Sequence, residues 1–322
     1  MKTSIFLIPG MAAALVLALP AAAQQYPARG VRMVVPYVAG GNTDFTARVI
    51  AQKLTEAWGQ QVIIENRPGG GTTIGSELVA KAVPDGYTLL MGGAANAINM
   101  SLYPKLPYDT LRDFAPVVLC VKGANLLAVH PSLPAKNVKE LIALAKARPG
   151  KMSYASSGLG SSNQMAGELL KLMAGVDILH VPYKGNPPAI TDTIGGQVEM
   201  VFSGVPALIP HMQSGRLRAI GIGSLKRFPA VPEVPTLDES GLKGYEATTW
   251  FGLLAPVKVP KDIVAKWNAE VGKILASQEV STRFVGEGLE PMGNTPEWFA
   301  GFIKDEITKY AKVVKAAKLT GE

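Results

Sequence analysis

Short apolar runs alternate along this chain with stretches in which apolar residues return every third or fourth position. The first pattern predicts strands and the second amphipathic helices. Val31–Pro36 (VRMVVP) is a strand, and Ala47, Ile50, Ala51, Leu54 and Trp58 mark one face of the helix that follows it. Val62–Glu65 and Tyr87–Met91 are further strands, separated by a helix from Thr73 to Ala82 and a Pro84-Asp85-Gly86 turn. The middle of the chain continues with a helix at Val138–Ala147, a strand at Met152–Ala155 and a helix at Ser161–Ala174 stopped by Gly175. Next come a strand at Asp177–Val181, a helix at Pro187–Ile194, and strands at Val198–Phe202 and Leu217–Ile222. Two long amphipathic helices close the chain, Lys261–Ala276 and Pro296–Ala317; Thr295, Pro296 and Glu297 give the second an N-cap, a first-turn proline and an early acid.

This alternation predicts an α/β protein with mostly parallel sheets. Two extended apolar stretches interrupt it, Asp113–His130 and Tyr245–Pro256. They bracket a central α/β block, which predicts two domains with the second inserted in the first. Residues 126–246 would form the inserted domain, and 24–125 with 247–322 the discontinuous one. A length of 322 residues agrees, at about 150 residues per domain.

Composition narrows the class. With 48% hydrophobic and 18% charged residues the chain is globular rather than disordered. Residues 1–23 carry Lys2, an apolar stretch from Met11 to Leu19, and Ala21-Ala22-Ala23 before Gln24. That is the pattern of a cleavable secretory signal peptide, so export is expected. A single cysteine, Cys120 in APVVLCV, excludes a disulfide framework and reads as a buried core thiol. The formal net charge of +7 (32 − 25) points loosely to an acidic partner, whether nucleic acid, a membrane surface or an anionic solute. The basic residues are dispersed and not interleaved with stacking aromatics, which argues against nucleic acid.

Familiar catalytic and cofactor signatures are missing. Gly69-Gly70-Gly71-Thr72-Thr73 lacks the lysine of a phosphate loop, and Gly158-Leu159-Gly160-Ser161-Ser162-Asn163 has Asn163 where a dinucleotide fingerprint needs its last glycine. No G-x-S-x-G elbow occurs. His130, His180 and His211 are far apart in sequence, so neither a transition-metal site nor a nucleophile–base pair is expected. The reading is of a protein that is not an enzyme and needs no cofactor or metal.

What is present is a pair of similar strand–loop–helix junctions. The first runs Tyr37-Val38-Ala39-Gly40-Gly41-Asn42-Thr43-Asp44, the second Ser156-Ser157-Gly158-Leu159-Gly160-Ser161-Ser162-Asn163-Gln164. Each places small residues just before a helix N-terminus, where free N–H groups and the positive dipole end favour an anion. The second has no acid in its first turn, Glu168 being the nearest. The first carries Asp44, which reads as a cap. A third loop, Val181–Pro188, offers Tyr183 as a pocket wall and Lys184 as a surface charge. All three loops fall at the carboxyl ends of predicted strands, where open α/β sheets bind ligands. The first two lie in different predicted domains, so a ligand touching both would sit between the domains.

These junctions and their neighbours resemble the Bug family of periplasmic solute-binding proteins, which serve tripartite tricarboxylate transporters. The resemblance rests on YPARGVRMVVPYVAGGNTDFTAR, GQQVIIENRPGGGTTIG, VPDGYTLLMG, LPYDTLRDFAPV, YASSGLGSSNQMAGE, HVPYKGNPPAITDTIGGQV, GRLRAIGIGS, VPTLDESGLKGYE and FGLLAP, in this order and spacing. It implies a two-domain Venus-flytrap fold of the type II kind, closing over a small carboxylate in the periplasm. The partners it implies are membrane subunits of a tripartite transporter, with the receptor itself a monomer. It assigns ligand contacts to Tyr37, Gly40, Gly41, Asn42, Thr43 and Asp44 in the first loop. In the second it assigns Ser156, Ser157, Gly158, Gly160, Ser161, Ser162 and Asn163. Tyr183, Asp192, Val205, Pro206 and Trp250 are further candidates for the cleft wall. The chain departs from the family pattern at Ala39, often proline, and at Gln164, commonly histidine. The alternatives are a ligand-sensing adaptor for a membrane histidine kinase and, further off, a hydrolase on a related scaffold.

Overall fold

A computed structural model describes residues 26–321; the signal-peptide expectation for 1–23 lies outside the described residues. The chain opens with β1 (Val31–Val35), α1 (Asn42–Trp58), β2 (Val62–Asn66), a 3-10 turn at Gly70–Thr72, α2 (Thr73–Ala80), β3 (Thr88–Gly93), α3 (Ala94–Leu102) and β4 (Phe114–Val129). It continues with α4 (Val138–Ala147), β5 (Ser153–Ser156), α5 (Ser162–Ala174), β6 (Leu179–Pro182), α6 (Asn186–Ile194), β7 (Met200–Gly204), α7 (Val205–Gln213) and β8 (Arg218–Ile222). The last elements are β9 (Thr248–Pro256), α8 (Lys261–Ala276), α9 (Gln278–Gly286), β10 (Leu289–Pro291) and α10 (Pro296–Ala316).

The strands form one sheet in the order β2-β1-β3-β9-β4-β7-β5-β6, with β8 and β10 also pairing to β4. Pairing is parallel towards both ends, where β1 joins β2 and β3, and β5 joins β6 and β7. It is antiparallel through the middle. The sheet is therefore mixed, because the two long extended stretches of the sequence run against each other at its centre. β4 is its backbone: Phe114–Ala124 pairs with β9, and Asn125–Val129 pairs with β7 and β8. The chain thus has two sheet halves joined through a single strand, and the change occurs at Asn125.

Each half buries both faces of its strands, as the period of two requires. In the half built on β1, Val31, Met33 and Val35 face Leu54, Trp267 and Phe284, while Val34, Leu90 and Leu254 face Trp250, Phe299 and Ile303. In the other half, Leu127, Val129, Tyr154 and Phe202 lie on one side and Leu126, Ala128, Ala155 and Val201 on the other. Cys120 is fully buried in the first core, and burial pushes its thiol up to about 12. Among the described residues no helix is long and apolar enough to cross a membrane.

Three helices have no counterpart in the sequence reading. α3 is buried on nearly every side, so it shows no polar stripe. α7 carries Pro206 and Pro210, which suppress a helical reading, although Pro206 sits in the first turn where proline is tolerated. α9 is short and follows α8 directly.

Two polar contacts belong to this packing, one between β9 and α10 and one between the neighbouring strands β5 and β6. Trp250 is fully buried on β9, and its Nε1 donates to Glu306 Oε2 on α10 at 2.9 Å. On β6, the His180 ring stacks on Tyr154, 4.9 Å between centroids, and its Nε2 lies 2.6 Å from Ser156 Oγ. Burial, reinforced by the nearby Lys171 charge, lowers the His180 pKa to about 4, so the ring is neutral near neutral pH.

Trp250→Phe keeps the aromatic bulk and removes the donor to a buried carboxylate, and is expected to lower unfolding stability by about 1–3 kcal/mol in a urea titration. Because the unfolded chain binds the His180 proton at an ordinary 6.5 and the folded chain only near 4, His180 supports stability fully above pH 6.5. That support is lost as the pH falls towards 4, by up to about 3 kcal/mol. His180→Asn should flatten this part of the stability–pH profile; an unchanged slope would contradict the assignment.

Candidate functional site

Four helices begin at the carboxyl ends of strands and aim their N-termini at one small chamber. α1 follows β1 with Gly41 as N-cap, α5 follows β5 with Ser161, α6 follows β6 with Gly185, and α7 follows β7 with Gly204. The chamber has a volume of about 40 Å³ and is walled by the first turns of these helices, with Asn125, Thr249 and Phe251 closing the side towards β4 and β9. Among the described residues, no charged side chain lines it.

The donors are built into the backbone. Among the described residues, the N–H groups of Asn42, Thr43, Ser162, Asn163 and Asn186 make no hydrogen bond to a protein acceptor. The hydroxyls of Thr43, Ser162 and Thr249 are likewise unengaged, although all three residues are at least nine-tenths buried. A concave set of free N–H groups and hydroxyls at convergent helix N-termini attracts an anion without any cationic side chain. Tyr37 stands in the same wall. Burial, with the Tyr108 phenol nearby, raises its pKa above the ordinary tyrosine range, so it remains a donor.

The two junctions are stabilised in the same way. In the first, Gly40 (φ +88°) turns the chain and donates its N–H to Asp44 Oδ2 at 3.0 Å. In the second, Gly160 (φ +71°) donates to Gln164 Oε1 at 2.8 Å, and Ser161 Oγ accepts from Gln164 N at 3.1 Å. Each loop is thus pinned by a side chain four residues further on, a variant of the capping box. At the second junction an amide does this work where the first uses a carboxylate. The departure at Gln164 therefore has a structural part to play as a cap.

Tyr37, Gly41, Asn42, Thr43, Ser157, Ser161, Ser162 and Asn163 line the chamber together. Gly158 and Tyr183 line a larger adjoining cavity instead. Gly40, Asp44, Ser156, Gly160, Asp192, Val205, Pro206 and Trp250 line neither space. Asp44 is 3% exposed and turned back into its own loop, where it accepts from Gly40 N, Arg48 Nε and Asn66 Nδ2. Burial opposes its charge, but these hydrogen bonds outweigh burial and hold its carboxyl below the usual carboxylate range. Ser156 Oγ is taken by His180 and by Gly158 N, and Gly160 N by Gln164. Asp192 accepts from the Tyr183 hydroxyl at 2.7 Å and so orients that ring from behind. Val205 and Trp250 are fully buried core residues, and Pro206 packs in the first turn of α7 near Gly288.

Asn125 was missed. Its Nδ2 donates to Ser162 O (3.3 Å) and Ala247 O (3.2 Å), and its Oδ1 accepts from Asn163 Nδ2 at 2.9 Å. Ser157 Oγ then donates to Asn163 Oδ1 at 2.6 Å. This chain of contacts fixes the start of α5 to the strand that joins the halves. An amide inside the apolar run NLLAVH was the available signal. Gly185, Asn186, Gly204, Thr249 and Phe251 also line the chamber without having been singled out as contacts.

The halves meet closely across the chamber. A Cβ at Gly204 would lie 2.0 Å from Asn42 Nδ2, and one at Gly185 (φ +126°) 2.7 Å from Val38 Cγ2. At Gly185 the positive φ independently favours glycine. Among the described residues there is no cluster of three or more His, Cys, Asp or Glu that could hold a metal ion.

Residues 46–319 match the tripartite tricarboxylate transporter family receptor. Among solved structures, the chain is similar to R. palustris Rpa4515 with adipate, at 37% identity and a TM-score of 0.88, covering 92% of this chain and 99% of that one. It is similar to the periplasmic binding protein BugD at 35% identity and a TM-score of 0.86, covering 92% and 100%. MatC from Rhodopseudomonas palustris, with bound malate, aligns at 34% identity and a TM-score of 0.85, covering 90% and 100%. The convergent helix N-termini are therefore set in the two-part fold of a solute-binding receptor, and the chain belongs to the tripartite tricarboxylate transporter receptor family, the Bug proteins.

Proposed function

We propose that this chain is a periplasmic receptor that captures a small organic carboxylate in the chamber and delivers it to the membrane subunits of a tripartite tricarboxylate-type transporter. The observation that carries this reading is the convergence of the N-termini of α1, α5, α6 and α7 on a space lined, among the described residues, by no charged side chain. Such a site suits an anion whose oxygens accept from several N–H groups at once. Adipate in Rpa4515 and malate in MatC support a carboxylate as that anion. No covalent step is part of the function. Binding is hydrogen-bond donation to the carboxylate, reinforced when closure excludes water. The receptor works as a monomer.

Residues 24–125 with 247–322 form one domain and 126–246 the other in this reading. The exchange of partners along β4 at Asn125 supports that division, since the strand leaves β9 there and joins β7 and β8. The two connections form the hinge, and Tyr37, Gly41, Asn42, Thr43, Ser157, Ser161, Ser162 and Asn163 contact the ligand from opposite sides.

A thermal-shift screen of mono-, di- and tricarboxylates tests the reading, because a ligand that binds only the folded state raises the melting temperature by mass action. Ser162→Asp places a fixed carboxylate among the donors. It is expected to weaken carboxylate binding about a hundredfold or more by calorimetry, through like-charge repulsion. The unliganded variant should melt no lower than the parent, since an acid in a first helical turn is favourable; unchanged affinity would remove the chamber from consideration. Saturating ligand should also reduce the radius of gyration in solution scattering, and an identical radius with and without ligand would contradict closure.

A further inference from the structure

Ser156 ends β5 and is fully buried, yet it lines neither the chamber nor the adjoining cavity. Its polar atoms are engaged within the protein. Ser156 Oγ accepts from Gly158 N at 3.1 Å and stands 2.6 Å from His180 Nε2 on β6. Its main-chain oxygen accepts from Tyr183 N at 3.1 Å. A serine that a ligand does not reach is thus tied to the loop that a ligand does reach.

The surrounding hydrogen bonds assign the proton between Ser156 and His180. A hydroxyl has one proton to give, and that of Ser156 has two acceptors in reach, His180 Nε2 at 2.6 Å and Gly158 O at 3.3 Å. Gly158 O already accepts from Ser161 Oγ at 2.7 Å and from Ser161 N at 3.3 Å, which fills its two lone pairs. Ser156 therefore donates to Nε2, and the neutral imidazole carries its own proton on Nδ1. Burial keeps His180 in this accepting form near neutral pH. Without that acceptor the Ser156 hydroxyl turns to Gly158 O and competes there with Ser161, which caps Gln164 N and lines the chamber.

The imidazole is itself held from α5. It stacks on Tyr154 with 27° between the ring planes, and the Tyr154 hydroxyl donates to Glu168 Oε1 at 2.8 Å. Lys171 pairs with Glu168 at 3.0 Å. The contacts close a circuit, from α5 through Glu168, Tyr154, His180, Ser156 and Gly158 to Ser161 and back to the start of α5. We propose that Ser156 and His180 are a positioning pair: they touch no ligand, and they fix the loop from which Ser161, Ser162 and Asn163 face the chamber. The proposal rests on the carboxylate reading of the chamber and adds the residues that hold its donors from this half in place.

Calorimetry with malate and adipate as probes, on Ser156→Ala, His180→Phe and the double variant, tests this. His180→Phe keeps a ring against Tyr154 and removes the acceptor. Each single variant is expected to weaken probe binding about three- to tenfold, the effect of one hydrogen bond. The double variant should lose no more than the larger single loss, because both changes disable one unit. Ser156→Thr keeps the hydroxyl and should retain most of the parent affinity. Nitrogen chemical shifts of the parent, which need no variant, should show His180 as the neutral Nδ1–H tautomer near neutral pH. Losses that multiply in the double variant would make Ser156 a direct contact and overturn the pairing, leaving the carboxylate reading standing. Parent affinity in Ser156→Ala, or an Nε2–H tautomer, would overturn it equally. If no carboxylate bound the parent, the reading of the chamber itself would fall, and the positioning role with it.

Discussion

Backbone N–H groups at helix starts set the plan of this molecule. A helix leaves its first N–H groups without internal acceptors, and buried ones must be paired or left for something else to pair. Here the chain satisfies only part of this demand. Asp44 and Gln164 each reach back to the N–H of a glycine four residues earlier, and Ser161 caps Gln164. These bonds hold the loops rigid while leaving the next N–H groups open towards one space. Side-chain caps therefore leave the backbone donors of the chamber free. The absence of a lining arginine or lysine in the chamber follows the same economy, since charged side chains would be redundant beside several helix ends.

Convergence depends on the sheet. Parallel strands at both ends of the sheet put helix starts along one edge, and the antiparallel pair β4–β9 brings the two edges face to face. Asn125 sits where β4 exchanges partners, and it holds Ser162 O, Asn163 and Ala247 O at once. The same residue thus ends one sheet half, begins the other, and fixes the first turn of α5. The approach is closest at Gly185 and Gly204, where an added Cβ would meet the Val38 and Asn42 side chains of the opposite loop.

Much of this was legible from periodicity. The strand at Val31–Val35, the helices α1, α5 and α10, and the caps Gly175 and Thr295 all fall where apolar spacing and end signals put them. Elements that are buried on every side or interrupted by proline, such as α3 and α7, carry no such spacing and were not read. The loops around Gly41 and Ser161 were legible because small residues before a helix have few other uses. The direction of a side chain was legible at Asp44, which reads as a cap and bonds back to Gly40 N, but not at Asp192, which stands behind Tyr183 through a rotamer that apolar spacing does not show. Asn125 joins residues 37 and 122 positions away, which no local pattern records. The net charge of +7 contributed least, since the site it hinted at contains none of that charge.

The donors in the chamber are divided between the two halves: Asn42 and Thr43 belong to one, Ser162, Asn163 and Asn186 to the other. Neither half alone offers a complete set. Separating them by even a few ångströms takes away part of the hydrogen bonding and admits water to the rest. If the chamber holds the cargo as proposed, a membrane partner that spread the two halves would weaken that hold by mechanical leverage, without a competing anion or a change of protonation in the chamber.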